Sequence, residues 1–201
     1  MSLVTQNIWC VGRNYADHAK EMNAPIPKAP LIFLKSAGCL NSSSKIQLPS
    51  WSKEIHHEVE LALMIDDSLN ISHVTLALDL TARDAQAAAK ISGQPWTLAK
   101  SFTGACPIGS WLSILDLDPL ETLQLSLKKN GSVMQTGHVT DMIFKPQILL
   151  DYIKLHFPLS AGDIVLTGTP GGVGPILSGN NLVAELQSQG LTLLTCHWDV
   201  I

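Results

Sequence analysis

The chain has 201 residues, 46% hydrophobic and 15% charged, with a formal net charge of −4. It is long and apolar enough to bury a sizeable core, which excludes a disordered polymer, and no basic cluster supplies the footprint of a nucleic-acid or anionic-membrane binder. No basic stretch leads into an apolar run at the N-terminus and no apolar run is long enough to span a bilayer, so a cytoplasmic protein with one domain over residues 1–201 is expected.

Ile8–Val11 reads as a short strand, followed by the turn Gly12-Arg13-Asn14-Tyr15 and a helical stretch at Ala16–Met22. Pro25, Pro27 and Pro30 forbid regular structure by fixing φ and removing amide donors. Leu31–Leu34 reads as a strand, and Ser42–Ser44 and Leu48–Ser50 as turns. In Glu58–Ile65 the residues Val59, Leu61, Leu63 and Ile65 alternate with Glu58, Glu60, Ala62 and Met64, a strand of period two. Val74–Asp79 is a further strand, and alanine-rich Ala85–Ile91 a helix stopping near Ser92-Gly93. Leu123–Lys129 is a strand that enters the hairpin signal Asn130-Gly131. Pro146–Leu155 reads as an amphipathic helix, Ile164–Thr167 as a strand, Gly168–Pro175 as a loop, and Leu182–Leu186 and Leu191–Trp198 as strands. Strands outnumber short helices, so the pattern predicts a β-rich α+β fold. The four cysteines, Cys10, Cys39, Cys106 and Cys196, have no C-x-x-C spacing and read as scattered buried thiols in a reducing compartment.

Four constellations can carry chemistry. Glu58 and Glu60 leave one face of one strand roughly 6.5–7 Å apart. Like charges that close on an apolar strand need compensation, and a divalent cation is the simplest. Asp79, closing its own apolar strand, is a third candidate oxygen ligand; carboxylates without cysteine suit Mg²⁺, Mn²⁺ or Ca²⁺ rather than zinc. The alternative is a solvated strand face paired with lysines. His56 shares the face of Glu58, either as a ligand or as a hydrogen-bond partner of the acids. His18 and Glu21 stand three residues apart on a helix, the spacing of a general base and its orienting carboxylate, and equally of an ordinary exposed pair. Lys100 follows Pro95-Trp96-Thr97-Leu98-Ala99 and either snorkels or faces a site where it stabilises an enolate or a carboxylate. The loop amides from Gly168 onward, with the Thr169 hydroxyl, can cradle an anion or make a structural turn; no P-loop ending is present.

Taken in order, these segments resemble the fumarylacetoacetate hydrolase family, in particular its short acylpyruvate hydrolase and oxaloacetate decarboxylase branch. The matching pieces are Val11–His18, His57-Glu58-Val59-Glu60-Leu61, Asp79–Asp84, Pro95–Phe102, Met142-Ile143-Phe144 and Gly162–Pro170. The resemblance implies a mixed β-sandwich roll, usually a homodimer, working with Mg²⁺ or Mn²⁺. It places the metal ligands on Glu58, Glu60 and Asp79, the active-site lysine on Lys100, and the water-activating dyad on His18 and Glu21. Substrate contacts fall on Thr169 and neighbouring Gly168, on Gln86 and on Arg13. Two features depart from the family pattern. The connection from Asp66 to Leu78 is shorter by about ten residues, and Gly172 stands where relatives often carry lysine.

The resemblance implies hydrolysis of a C–C bond in a 2,4-dioxo acid of acylpyruvate or fumarylpyruvate type. The same enolate chemistry also admits tautomerisation, isomerisation or decarboxylation of a 2-oxo diacid such as oxaloacetate or a hydroxymuconate. A catalytically decayed cation-binding domain is the third reading. The expected partner is a small 2-oxo acid, with no nucleic acid and no membrane.

Overall fold

The computed structural model describes residues 5–17 and 26–201. A six-stranded sheet runs in the order β10-β7-β6-β13-β1-β2, from β1 (Asn7–Gly12), β2 (Leu31–Ser36), β6 (Val59–Ile65), β7 (Ile71–Leu78), β10 (Leu112–Ser113) and β13 (Ile164–Leu166). A five-stranded sheet, β12-β11-β15-β16-β4, comprises β4 (Lys45–Ile46), β11 (Leu123–Lys129), β12 (Ser132–His138), β15 (Asn181–Ser188) and β16 (Leu191–Val200). Two small sheets join β14 (Gly174–Pro175), β5 (Ile55–His57) and β8 (Thr81–Ala82), and β3 (Leu40–Asn41) with β9 (Cys106–Pro107). Among the described residues the α-helices are α1 (Arg83–Ser92), α2 (Thr97–Lys100) and α3 (Pro146–His156). The β-rich α+β reading holds.

The two large sheets pack with β11 against β6 and β15 against β7. Leu61, Leu63, Val74 and Leu76 from one sheet and Leu125, Leu127, Ala184 and Leu186 from the other are all buried. Each large aliphatic side chain among them contributes roughly 1.5–3 kcal/mol by leaving water. All four cysteines are free and buried, as their spacing suggested. No helix among the described residues is long and apolar enough to cross a membrane.

The structure departs from the sequence expectations in three places. The strand expected over Glu58–Ile65 is interrupted at Glu58: β5 ends at His57 and β6 begins at Val59. Both faces of β6 are buried, so its alternating pattern does not mark a solvated face. The short helix α2 was not foreseen, because four residues show no periodicity. The shortened connection before Asp79 is a tight hairpin. Asp66 Oδ1 accepts the amides of Ser68 (2.9 Å) and Asn70 (2.8 Å), and β7 then pairs antiparallel with β6 all the way to Leu78 opposite Val59. The helix expected over Ala16–Met22 lies mostly outside the described residues.

Candidate active site

The hairpin gathers the acids. Glu58 occupies the break between β5 and β6, and its carbonyl accepts the amide of Asp79 at 2.8 Å, directly after β7. Glu60 stands on β6 opposite Ala77. One oxygen from each of Glu58, Glu60 and Asp79 lies within 4.8 Å of the others, and all three side chains are buried. The short route therefore delivers Asp79 by direct strand pairing.

Each carboxylate is braced on one side. Arg83 Nη2 donates to Glu58 Oε1 at 2.6 Å, Lys35 Nζ lies 2.8 Å from Asp79 Oδ1, and the Gly168 amide donates to Glu60 Oε2 at 2.6 Å. The other oxygens of Glu58 and Asp79 share the ammonium of Lys100, at 2.9 and 2.5 Å. Burial, with the charges of Asp79 and Glu58 adding to it, pushes the Glu60 carboxyl well above its usual range. Burial acts on Asp79 in the same sense, but the ammonium groups of Lys100 and Lys35 outweigh it and hold that carboxyl below its usual value. Burial disfavours the charged form of Lys100, yet Asp79 and Glu58 more than offset this and hold its proton tighter than usual. Lys100 is therefore a fixed cation, suited to stabilising negative charge and not to accepting a proton.

Three carboxylates with no sulfur or imidazole form a hard donor set. Among the described residues Glu60 makes no ion pair of its own, and a divalent cation held by the three acids would supply the charge it lacks. The residues fit such an ion. His56 is not part of the cluster; its Nε2 lies 3.1 Å from Glu54 Oε1.

The turn after β13 closes the site. Gly168 has φ +97°, and a Cβ there would stand 2.6 Å from Asn14 Cβ, so only glycine lets its amide reach Glu60. Gly172 has φ +90°, and a Cβ would fall 1.9 Å from the carbonyl oxygen of Met134. In this backbone no lysine fits there unless the loop moves away from Met134. Thr169 is buried, and its hydroxyl donates to the Val59 carbonyl at 2.8 Å.

A pocket opens over the acids, lined further by Arg13, Arg83, Gln86, Lys90, Phe33 and Trp96. Arg13 adopts φ +58°, a left-handed conformation uncommon for a non-glycine residue. Next to it the fully buried Asn14 side chain accepts the Phe144 amide at 2.7 Å and donates to the Phe144 and Thr167 carbonyls at 2.9 and 2.8 Å. That clamp holds the strained turn in place. Gln86 Oε1 accepts from Arg83 Nη1 at 2.8 Å.

Glu58, Glu60, Asp79, Lys100, Arg13, Gln86 and Thr169 thus line one pocket, and Gly168 braces its floor. His18 and Glu21 lie outside the described residues. Sequence reasoning missed Arg83, Lys35 and Gln135. Arg83 had a signal, since it stands three residues before Gln86 and four after Asp79. Lys35 was visible only as a lone cation ending the apolar run Leu31–Leu34. Gln135 had no signal in a hairpin strand.

Residues 7–196 match the family model "Fumarylacetoacetate (FAA) hydrolase C-terminal". The chain belongs to the fumarylacetoacetate hydrolase family. The family's relatives are enzymes, and this chain is an enzyme of the same kind. It is 40% identical over 192 residues to the mitochondrial oxaloacetate tautomerase of Bos taurus, covering 90% of this chain and 87% of that one. It is 41% identical over 196 residues to an oxaloacetate tautomerase of Escherichia coli, covering 91% and 89%. The fold also superposes on the crystal structure of fumarylpyruvate hydrolase from Pseudomonas aeruginosa in complex with Mn²⁺ and pyruvate. The TM-score is 0.90 at 28% identity, over 98% of this chain and 90% of that one.

Proposed function

We propose that this family member interconverts the keto and enol forms of a 2-oxo dicarboxylic acid of oxaloacetate type, with Mg²⁺ or Mn²⁺ held by Glu58, Glu60 and Asp79. The observation that carries the reading is the charge of the pocket wall. Arg13, Arg83, Lys90 and Lys100 line the pocket against three acids. Once a divalent cation is added, a dianion offsets the excess positive charge better than a monoanion does. The relatives at 40 and 41% identity act as oxaloacetate tautomerases, which favours this reading over hydrolysis.

When bound, the metal supplies Lewis-acid polarisation of the 2-oxo group. Lys100, held as an ammonium, stabilises the negative charge that develops on the enolate oxygen. Arg13 and Lys90 bind the distal carboxylate, while Arg83 keeps Glu58 and Gln86 in place. Phe33 and Trp96 form an apolar wall that keeps water from the reacting carbon. His18, oriented by Glu21, takes the proton from C3, and that proton or one from water goes to the enolate oxygen to give the enol; the reverse step restores the keto form.

C–C hydrolysis of an acylpyruvate is the second reading, favoured by the fold shared with the Pseudomonas aeruginosa fumarylpyruvate hydrolase. Enol absorbance of oxaloacetate, compared with pyruvate release from an acylpyruvate under Mg²⁺ and Mn²⁺, tests the two. Rapid keto–enol equilibration with little acylpyruvate cleavage supports tautomerisation; the reverse supports hydrolysis. A homodimer belongs to the same reading, and light scattering on the eluting protein tests it.

A further inference from the structure

We propose that Gln135 is a positioning residue that fixes the proton of the Thr169 hydroxyl, so that the pocket meets this hydroxyl only as a hydrogen-bond acceptor. Gln135 lies on β12, in the second sheet, and is buried. Its Oε1 is 3.1 Å from the Val59 amide and 2.8 Å from His57 Nδ1. Its Nε2 is 2.9 Å from the Pro170 carbonyl and 2.7 Å from Thr169 Oγ1. The Val59 amide can only donate and the Pro170 carbonyl can only accept, so the side-chain amide has one orientation.

The remaining protons then follow. His57 must carry its proton on Nδ1, which leaves its Nε2 a bare lone pair; among the described residues that buried nitrogen has no hydrogen-bond partner. Gln135 gives its second N–H to Thr169. The Thr169 proton goes to the Val59 carbonyl, an obligate acceptor 2.8 Å away. Thr169 has then spent its only proton and keeps one lone pair for the pocket it lines. A hydroxyl in that state repels a carboxylate oxygen and accepts from an O–H group. On the tautomerase reading, that group is the enol hydroxyl of the substrate or a water molecule. Anionic ends of the substrate are left to the arginines and lysines.

The experiment is a double-mutant cycle with Gln135→Met and Thr169→Val, each variant assayed for oxaloacetate enolisation and for thermal unfolding. Gln135→Met is expected to lower kcat about tenfold, the worth of one oriented hydrogen bond, with KM within about twofold. In the Thr169→Val background the same change is expected to cost less than about twofold in kcat. Because Gln135 and Thr169 bond directly, the loss of thermal stability should also be smaller without the hydroxyl, so the split between kcat and KM is what separates positioning from packing. Equal kcat losses with and without the hydroxyl would overturn the proposal. On the wild-type protein, ¹⁵N spectra of labelled histidine should show His57 as the Nδ1–H tautomer; the Nε2–H tautomer would overturn it independently of any activity or variant. If the wild type does not enolise oxaloacetate, the tautomerase reading fails. The cycle is then read on pyruvate release from an acylpyruvate, where the same coupling is expected and its absence refutes the proposal.

Discussion

Replacing Lys35 with methionine tests how the acidic cluster is held. The Lys35 side chain is fully buried. Its ammonium donates to the carbonyls of Leu80 (3.1 Å), Ala105 (3.0 Å) and Lys100, and pairs with Asp79 Oδ1 at 2.8 Å. It thereby joins the turn that carries Asp79 to the segment that carries Lys100. Methionine fills most of the volume but leaves the carbonyls without that donor and Asp79 with Lys100 alone. Removing one partner of a buried ion pair costs roughly 3–5 kcal/mol. For a chain of this size that corresponds to a fall in Tm of about 6–20 °C. The cost should also depend on pH. Asp79 has a folded pKa below its ordinary value, so its contribution is full above the unfolded pKa and is lost as pH falls through the folded one. In urea titrations the gap between wild type and Lys35→Met should be widest near neutrality and narrow below about pH 4. A gap under about 1 kcal/mol at neutral pH, or one unchanged down to about pH 2, would refute the account of Lys35.

Three further outcomes are expected. Because burial and neighbouring acids raise the Glu60 pKa, a proton competes with the metal there, and Mn²⁺ affinity followed by electron paramagnetic resonance should decline from well above the ordinary glutamate value of about 4.3 as pH falls; a flat affinity down to that value contradicts the assignment. Lys100→Met should abolish enolisation while calorimetry still detects Mn²⁺ binding, since the three carboxylates remain; loss of binding would make Lys100 part of the metal site itself. Gly172→Ala forces a Cβ into a positive-φ position 1.9 Å from the Met134 carbonyl, and chemical unfolding should show a loss of roughly 1–3 kcal/mol or more; a neutral effect would mean the loop is free to move off β12.

The acids of the site were legible because their pattern is local. Glu58 and Glu60 are two residues apart, and Asp79 ends a clean apolar run. The break at Glu58 was not legible, since hydrophobic alternation continues across it; only the pairing of β5 with β8 and β14 shows why the strand divides. Lys35 and Gln135 were invisible for a different reason. Each works through partners 34 to 78 residues away in the chain, namely the backbone around Asp79 and Lys100, and His57, Val59 and Thr169. No spacing rule spans such distances. The short Asp66–Leu78 connection looked like a missing element because its length was compared with a helical route, whereas Asp66 caps a hairpin that needs no helix.

That hairpin has a consequence for the order in which the molecule is built. Three carboxylates close together after a loop of a few residues, which costs little chain entropy and forms early. Arg83 comes with the hairpin, four residues after Asp79, whereas Lys35 and Lys100 come from other segments and the Gly168 amide from 89 residues beyond Asp79. The hairpin therefore gathers three acids with Arg83 as their one local counter-charge, and the remaining positive charge depends on long-range packing. A divalent cation present from the first milliseconds would lend the missing charge and act as a scaffold for folding before it ever meets a substrate.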